Sequence, residues 1–204
     1  GIKYFKNKIK FTSSPSLEAQ LASISDDIAY NSHDLEDGLK SNLFYLSDLK
    51  NIPILNKIVS KHTKKIKNHS LDLVIRQIIR EIINEMVKDL ITTTQKNIKK
   101  NKVKNLNDVL KSKYPLVDFS NRMRKFDKKI KKFLRKNMYY HKNVKSNTNQ
   151  GKIIIKKLFL SIKKNPNKYL NVSKYDKTNV ARSICDFIAG MTDRYAINLY
   201  KKIK

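Results

Sequence analysis

The stretch LDLVIRQIIREIINEMVKDLITTTQKNI, from Leu71 to Ile98, restricts the fold more than any other part of the chain. Ile75, Ile78, Ile79, Ile82, Ile83 and Met86 recur at helical spacing and cover an arc too broad for a helix with one buried side. A helix of this kind belongs at the centre of a core, with Ser70 placed to cap its start. Further helical patterns run from Ser14 and Pro15, read as N-cap and first helical residue, to about Asp37 just before Gly38, and from Ile54 to Ile66. Others cover about Ser120 to Met138, Lys152 to Lys164, and Lys177 to the end, where Val180, Ile184, Phe187, Ile188 and Met191 repeat. NIKKNKVKN (97–105) reads as a solvated linker and NPNKYLNVSKYD (165–176) as a loop. Apart from the ambiguous opening IKYFKNKIKF, no segment alternates as a strand does. The expectation is an irregular all-α fold without internal repeats.

No apolar run approaches the roughly 18 residues of a membrane span, and the first ten residues lack a signal peptide's apolar segment, so a cytoplasmic protein with no membrane association is expected. The lone Cys185, inside an apolar helical pattern, is expected to be a buried small hydrophobe. The absence of an initiator Met at Gly1 suggests a chain cut from something longer.

Charge is distributed unevenly. The formal net charge is +28, yet no Lys or Arg occurs from Phe11 to Leu39, and six of the 17 acids lie there. The excess is mostly Lys, whereas a protein that grips phosphates favours the bidentate fork of Arg. Lys, Asn and Ile share A/T-rich codons, so base composition accounts for most of the excess, with nucleic acid or a polyanionic small substrate as the remaining explanations.

On a helical wheel with Asp26 at zero, Asp37 falls near roughly 20°, Tyr30 near 40° and Asp34 near 80°. Leu17, Leu21, Ile24, Ile28 and Leu35 gather on the opposite side, which is expected to be buried. The acids have no basic partner in reach along the helix, so they gain nothing from ion pairing. A solvated acidic stripe is one reading; a hard divalent cation on the carboxylates is the other. A tyrosine one turn on suits a sugar, with an apolar ring face and a hydrogen-bonding hydroxyl, and Asp34 could accept from a ribose hydroxyl.

LEAQLASISDDIAYNSHDLEDGL (17–39) resembles the fourth metal motif of the HD-domain dNTP triphosphohydrolases, the bacterial dGTPase-like family. The resemblance continues in order through LSDLKNIPIL (46–55), LVIRQIIREIINEMVKD (73–89), KKIKKFLRKNMYYHKNV (128–144) and VARSICDFIAGMTDRYA (180–196). It implies an all-α HD-type fold that here lacks its N-terminal helices, with residues 1–14 a residual upstream segment. Residues 15–204 would then be the C-terminal part of one helical domain, the metal motif at 17–39 and the helical remainder at 53–204. The implied reaction is metal-dependent hydrolysis of a dNTP, such as dGTP, to deoxynucleoside and triphosphate, with Mg or Mn as the divalent ion. By the same resemblance Asp26 is a metal ligand, with Asp27 the less favoured neighbour. Tyr30 and Asp34 read the deoxyribose and its 3′-hydroxyl, Lys131 contacts the triphosphate, and Tyr139 lines the sugar pocket.

The family's other metal ligands, a His and an adjacent His-Asp pair, belong upstream of this motif, and the first fourteen residues hold no His. His33-Asp34 stands inside the fourth motif, where Asp34 already has the sugar role. His62 and His69 are expected to be exposed or capping, and His141 is a candidate for the phosphate side. These 204 residues alone are therefore expected to lack hydrolase activity, with a missing N-terminal segment as a partner chain and a homo-oligomer as the assembly. Asp193 and Arg194 either serve the site or form an internal ion pair, the pair being the favoured reading. The alternatives are a basic nucleic-acid-binding helical protein, which would need lysines on one face beside stacking aromatics, and a purely structural or assembly role.

Overall fold

A computed structural model describes residues 14–64, 70–170 and 177–203, and every regular element among them is helical. The order is α1 (Leu17–Lys40), α2 (Leu46–Leu49), α3 (Pro53–Thr63), α4 (Leu71–Lys100), α5 (Leu106–Leu110), α6 (Asn121–Leu134), α7 (Lys142–Lys164), α8 (Pro166–Tyr169), α9 (Val180–Ala189) and α10 (Asp193–Ile203). The all-α reading of the sequence holds. The opening segment and His69 lie outside the described residues. Where one domain was expected over 15–204, the contacts form two compact units that divide between Tyr139 and Tyr140.

In the first unit α4 is the central helix, as its broad apolar arc requires. Val74, Ile75, Ile78, Ile79, Ile82, Met86 and Leu90 are buried, and α4 packs against both α1 and α3. The Ser70 hydroxyl accepts a hydrogen bond from the Leu73 amide, the capping expected. The helix runs on to Lys100, four residues into the stretch read as a linker, because its last polar turns face solvent and cost nothing by being helical.

Polar side chains fix how the helices join. Gln20 is buried; its amide nitrogen donates to Ser14 Oγ at 3.1 Å and to the Pro15 carbonyl at 2.8 Å, while its Oε1 accepts from the Leu116 and Val117 amides at 2.8 and 3.0 Å. All its main bonding capacity is used, so burial carries no unmet desolvation cost. Asp89 on α4 accepts from the amide and the hydroxyl of Ser120, at 2.8 and 2.7 Å, and Ser120 in turn caps α6. The central helix thus sets where α6 begins.

Several boundaries differ from the sequence reading. Ser16, not Ser14, caps α1, its hydroxyl accepting from the Ala19 amide. Gly38 lies within the helix, where the Phe44 ring packs onto it so closely that a Cβ would stand 2.2 Å from a ring carbon. Leu21 is exposed, and the polar Gln20, Asn31 and Ser32 are buried in its place. The buried side of α1 therefore contains polar side chains that an apolar wheel does not count, with Gln20 and Asn31 hydrogen-bonded and the Ser32 hydroxyl without a partner among the described residues.

The second unit has a core of Leu158, Ile162, Leu170 and Ile184, with α7 packing against α9 and α10. α7 begins at Lys142, well before the expected Lys152. The segment from Lys177 breaks at Gly190 into two helices, and α8 forms a single turn inside the predicted loop. Cys185 is exposed, a correction to its expected burial: the neighbouring Ile184 takes the inward position on α9. Asp193 and Arg194 form no ion pair among the described residues; the pair present is Arg182 with Asp186, one turn apart at 2.8 Å. No described helix is long and apolar enough to cross a membrane.

Candidate functional site

The acid-rich side of α1 meets α6. The α-helix Asn121–Leu134 passes directly into a π-helical turn, Arg135–Tyr139, and this turn carries the tyrosine of interest. Such wide turns are rare and recur at functional sites. Tyr139 donates its hydroxyl hydrogen to the Asp34 carboxylate, and the Tyr30 side chain stands near enough to act on the same hydroxyl. Two aromatic rings and one carboxylate from distant parts of the sequence therefore share one surface. Burial pushes the Tyr139 hydroxyl well above its ordinary range, reinforced by the hydrogen bond and negative charge of Asp34 and by Tyr30. It stays protonated at neutral pH and acts as a donor. Tyr30 is 60% exposed, leaving one ring face open to a ligand.

Two turns back along α6, the Lys131 ammonium lies between carboxylates, 2.9 Å from Asp27 and 3.0 Å from Asp127. Burial alone would lower its pKa, but the hydrogen bonds and charges of Asp27 and Asp127 outweigh that and raise it, so the ammonium persists. Asp127 is buried and its other oxygen accepts from the Asn31 amide nitrogen at 3.0 Å. Asn31 and Asp127 were missed by sequence reasoning. Two signals existed: Asn31 lies close to the core side of the α1 wheel, and Asp127 precedes Lys131 by one helical turn.

Asp26 is exposed and has no hydrogen-bond or ionic partner among the described residues. Its neighbour Asp27 takes Lys131. No cluster of three or more His, Cys, Asp or Glu able to hold a metal occurs among the described residues. They do not by themselves fit a catalytic divalent ion, which needs several donors, and Asp26 could be only one of them.

The histidines separate. His33 is exposed. His62, expected at the surface, is buried at 7% exposure, with Nε2 hydrogen-bonded to Glu81, because α3 turns its ring toward α4 rather than outward. Hydrogen bonding by Lys61 holds the Glu81 carboxyl below the usual range, with burial opposing and His62 assisting. His141 is the N-cap residue just before α7, and its Nδ1 is buried without a partner among the described residues.

The phosphohydrolase-associated domain family matches residues 117–202, a span that includes Lys131, Tyr139 and all but the last two residues of the second unit. A deoxyguanosinetriphosphate triphosphohydrolase-like protein of Pelagibacter ubique (strain HTCC1062) is 51% identical over 203 residues, which is 100% of this chain and 54% of that protein. Proteins with the same description from Bartonella quintana (strain Toulouse) and Nitrosomonas europaea are 38% and 35% identical, over 97% and 93% of the chain and 51% of each relative. The chain spans about half the length of the curated relatives it matches. With an all-α fold, the resembling motif at 17–39 on α1 and this identity along its whole length, the chain belongs to the deoxyguanosinetriphosphate triphosphohydrolase-like family.

Proposed function

We propose that this chain supplies the sugar-reading and phosphate-neutralising surface of a dNTP triphosphohydrolase acting on dGTP or a related deoxynucleotide. The observation that carries the reading is the junction of Tyr139 with Asp34 beside Tyr30. Tyr30 and Tyr139 offer apolar ring faces to a deoxyribose, and Asp34 accepts from its 3′-hydroxyl, replacing the hydrogen bond it now takes from Tyr139. The raised Tyr139 pKa keeps that hydroxyl a donor, free to turn to the substrate once displaced. Lys131, now paired with Asp27 and Asp127, would exchange the exposed Asp27 for a phosphate oxygen and so neutralise part of an arriving triphosphate. Asp26, exposed on the same side of α1, is one prospective metal donor. A divalent ion in the complete site would activate water and polarise phosphate, but its remaining ligands must come from protein beyond the described residues, so no step is derived through it.

The chain alone is therefore expected to be inactive, and the test is complementation. The isolated 204 residues are incubated with dGTP and Mn²⁺ or Mg²⁺, with and without the N-terminal half of the Pelagibacter relative, and triphosphate release is measured by ion chromatography. Activity only in the mixture, lost with Asp26→Ala and weakened with Tyr30→Ala, supports the reading. Hydrolysis by the chain alone at an ordinary enzymic rate, or a mixture indifferent to both substitutions, refutes it.

A further inference from the structure

A cavity of about 800 Å³ in the first unit is separate from the acidic side of α1. Its apolar floor is made by Ile52, Ile54, Ile58 and Phe126, and around this floor stand Lys57, Lys61, Arg122, Lys125 and Lys129. Lys61 is committed to Glu81, but Lys57, Arg122, Lys125 and Lys129 have no acidic partner among the described residues. On the α6 wheel Arg122, Lys125, Phe126 and Lys129 occupy one arc of about 100°, roughly opposite Lys131. The cavity is thus on the far side of α6 from the tyrosine pair. The first residues of α3, Pro53 and Ile54, and of α6, Asn121 and Arg122, also border it, so two helix N-termini add positive potential.

We propose that this cavity is a second ligand site, for a small organic phosphate with an apolar body. Four unpaired cations and two helix N-termini exceed what one carboxylate would neutralise, so the head group they fit carries two or more negative charges. The isoleucine and phenylalanine floor would desolvate an apolar ring, and the volume lies within the roughly 300–1,000 Å³ of small-molecule pockets. Glu85, on the wall without a partner among the described residues, would repel a bare polyanion, but it can accept from an amino or hydroxyl donor on the body of the ligand. Floor, cations and carboxylate together select for a composite molecule over phosphate alone.

Isothermal titration calorimetry of the whole chain with ATP and, separately, with inorganic tripolyphosphate tests this. ATP is expected to bind at least tenfold more tightly than tripolyphosphate. Lys125→Glu with Lys129→Glu, both on exposed side chains, should weaken ATP at least tenfold. Lys99→Glu with Lys100→Glu, an equal charge change at the end of α4, should leave the affinity within twofold. Tyr30→Ala should also leave it within twofold, which separates this cavity from the acidic side of α1. Circular dichroism of each variant confirms that the helices persist. The proposal is overturned if ATP does not bind at millimolar concentration, if the two lysine pairs act alike, if tripolyphosphate equals ATP, or if Tyr30→Ala removes the binding.

Discussion

Gly38→Ala should destabilise the protein, although replacing glycine by alanine inside a helix ordinarily does the reverse. The intrinsic gain is about 1 kcal/mol, since alanine loses less backbone entropy on becoming helical. Against it stands the Phe44 ring: an added Cβ would lie 2.2 and 2.3 Å from two ring carbons, more than 1 Å inside ordinary contact. The ring has little room to yield, being 3% exposed and edge-on to Phe133 with centroids 4.9 Å apart. Forcing a methyl into such a site costs typically 1–3 kcal/mol, and an overlap this deep belongs at the upper end, which leaves a net loss of about 2 kcal/mol. Urea denaturation of the wild type and the variant, compared at equal slope, measures the difference. Phe44→Leu should itself destabilise but should reduce the penalty of Gly38→Ala by more than 1 kcal/mol in a double-mutant cycle. A Gly38→Ala protein more stable than wild type would refute the reasoning, because propensity would then outweigh packing here.

Tyr139→Phe should abolish a pH dependence as well as a bond. The folded Tyr139 pKa is raised, so its contribution to stability is complete below the unfolded value near 10 and is lost as pH rises above it; the variant's stability should fall less between about pH 9.5 and 11.5, followed by thermal denaturation. Glu81 has the opposite sign, its folded pKa being lowered: its contribution is present above the unfolded value near 4.5 and fades as pH falls, so Glu81→Gln should flatten the acid limb of the stability profile. Asp127→Ala removes a buried carboxylate that serves both Asn31 and Lys131 and should cost about 1–3 kcal/mol by chemical denaturation, while Asn31→Ala in that background should add little. Ile78→Ala, at a fully buried position of α4, should cost about 2–5 kcal/mol.

The fold was legible where burial writes a period. The arc from Ile75 to Met86 announced a central helix because so many of its directions are buried, and Ser70 marked its start. Less legible were features decided by single contacts. Gly38 reads as a stop signal but is needed for the close approach of Phe44, and Leu21 reads as core while Gln20 takes the buried place by satisfying four hydrogen bonds. In the candidate site, the resemblance on α1 and α6 brought Tyr30, Asp34 and Tyr139 together on paper, and their side chains do meet. Asp127 escaped notice because a buried acid between lysines in KFDKKIKK looks like one more solvated charge. Burial of His62 was equally hidden, since it depends on how α3 and α4 face each other across segments distant in sequence.

Asp27 and Asp34 are seven residues apart on α1, while their partners Lys131 and Tyr139 are eight apart on the other strand of contacts. Seven residues come nearly full circle on an α-helix, but eight overshoot by about 80°, so two regular helices could not make both contacts from one side. The wide turn ending at Tyr139 absorbs that odd residue, as a vernier reconciles two unequal scales. Deleting Lys136 would remove the odd residue together with the wide turn, leaving the tyrosine seven residues after Lys131 at ordinary pitch, so both the tyrosine's alignment with Asp34 and the lysine's with Asp27 should survive.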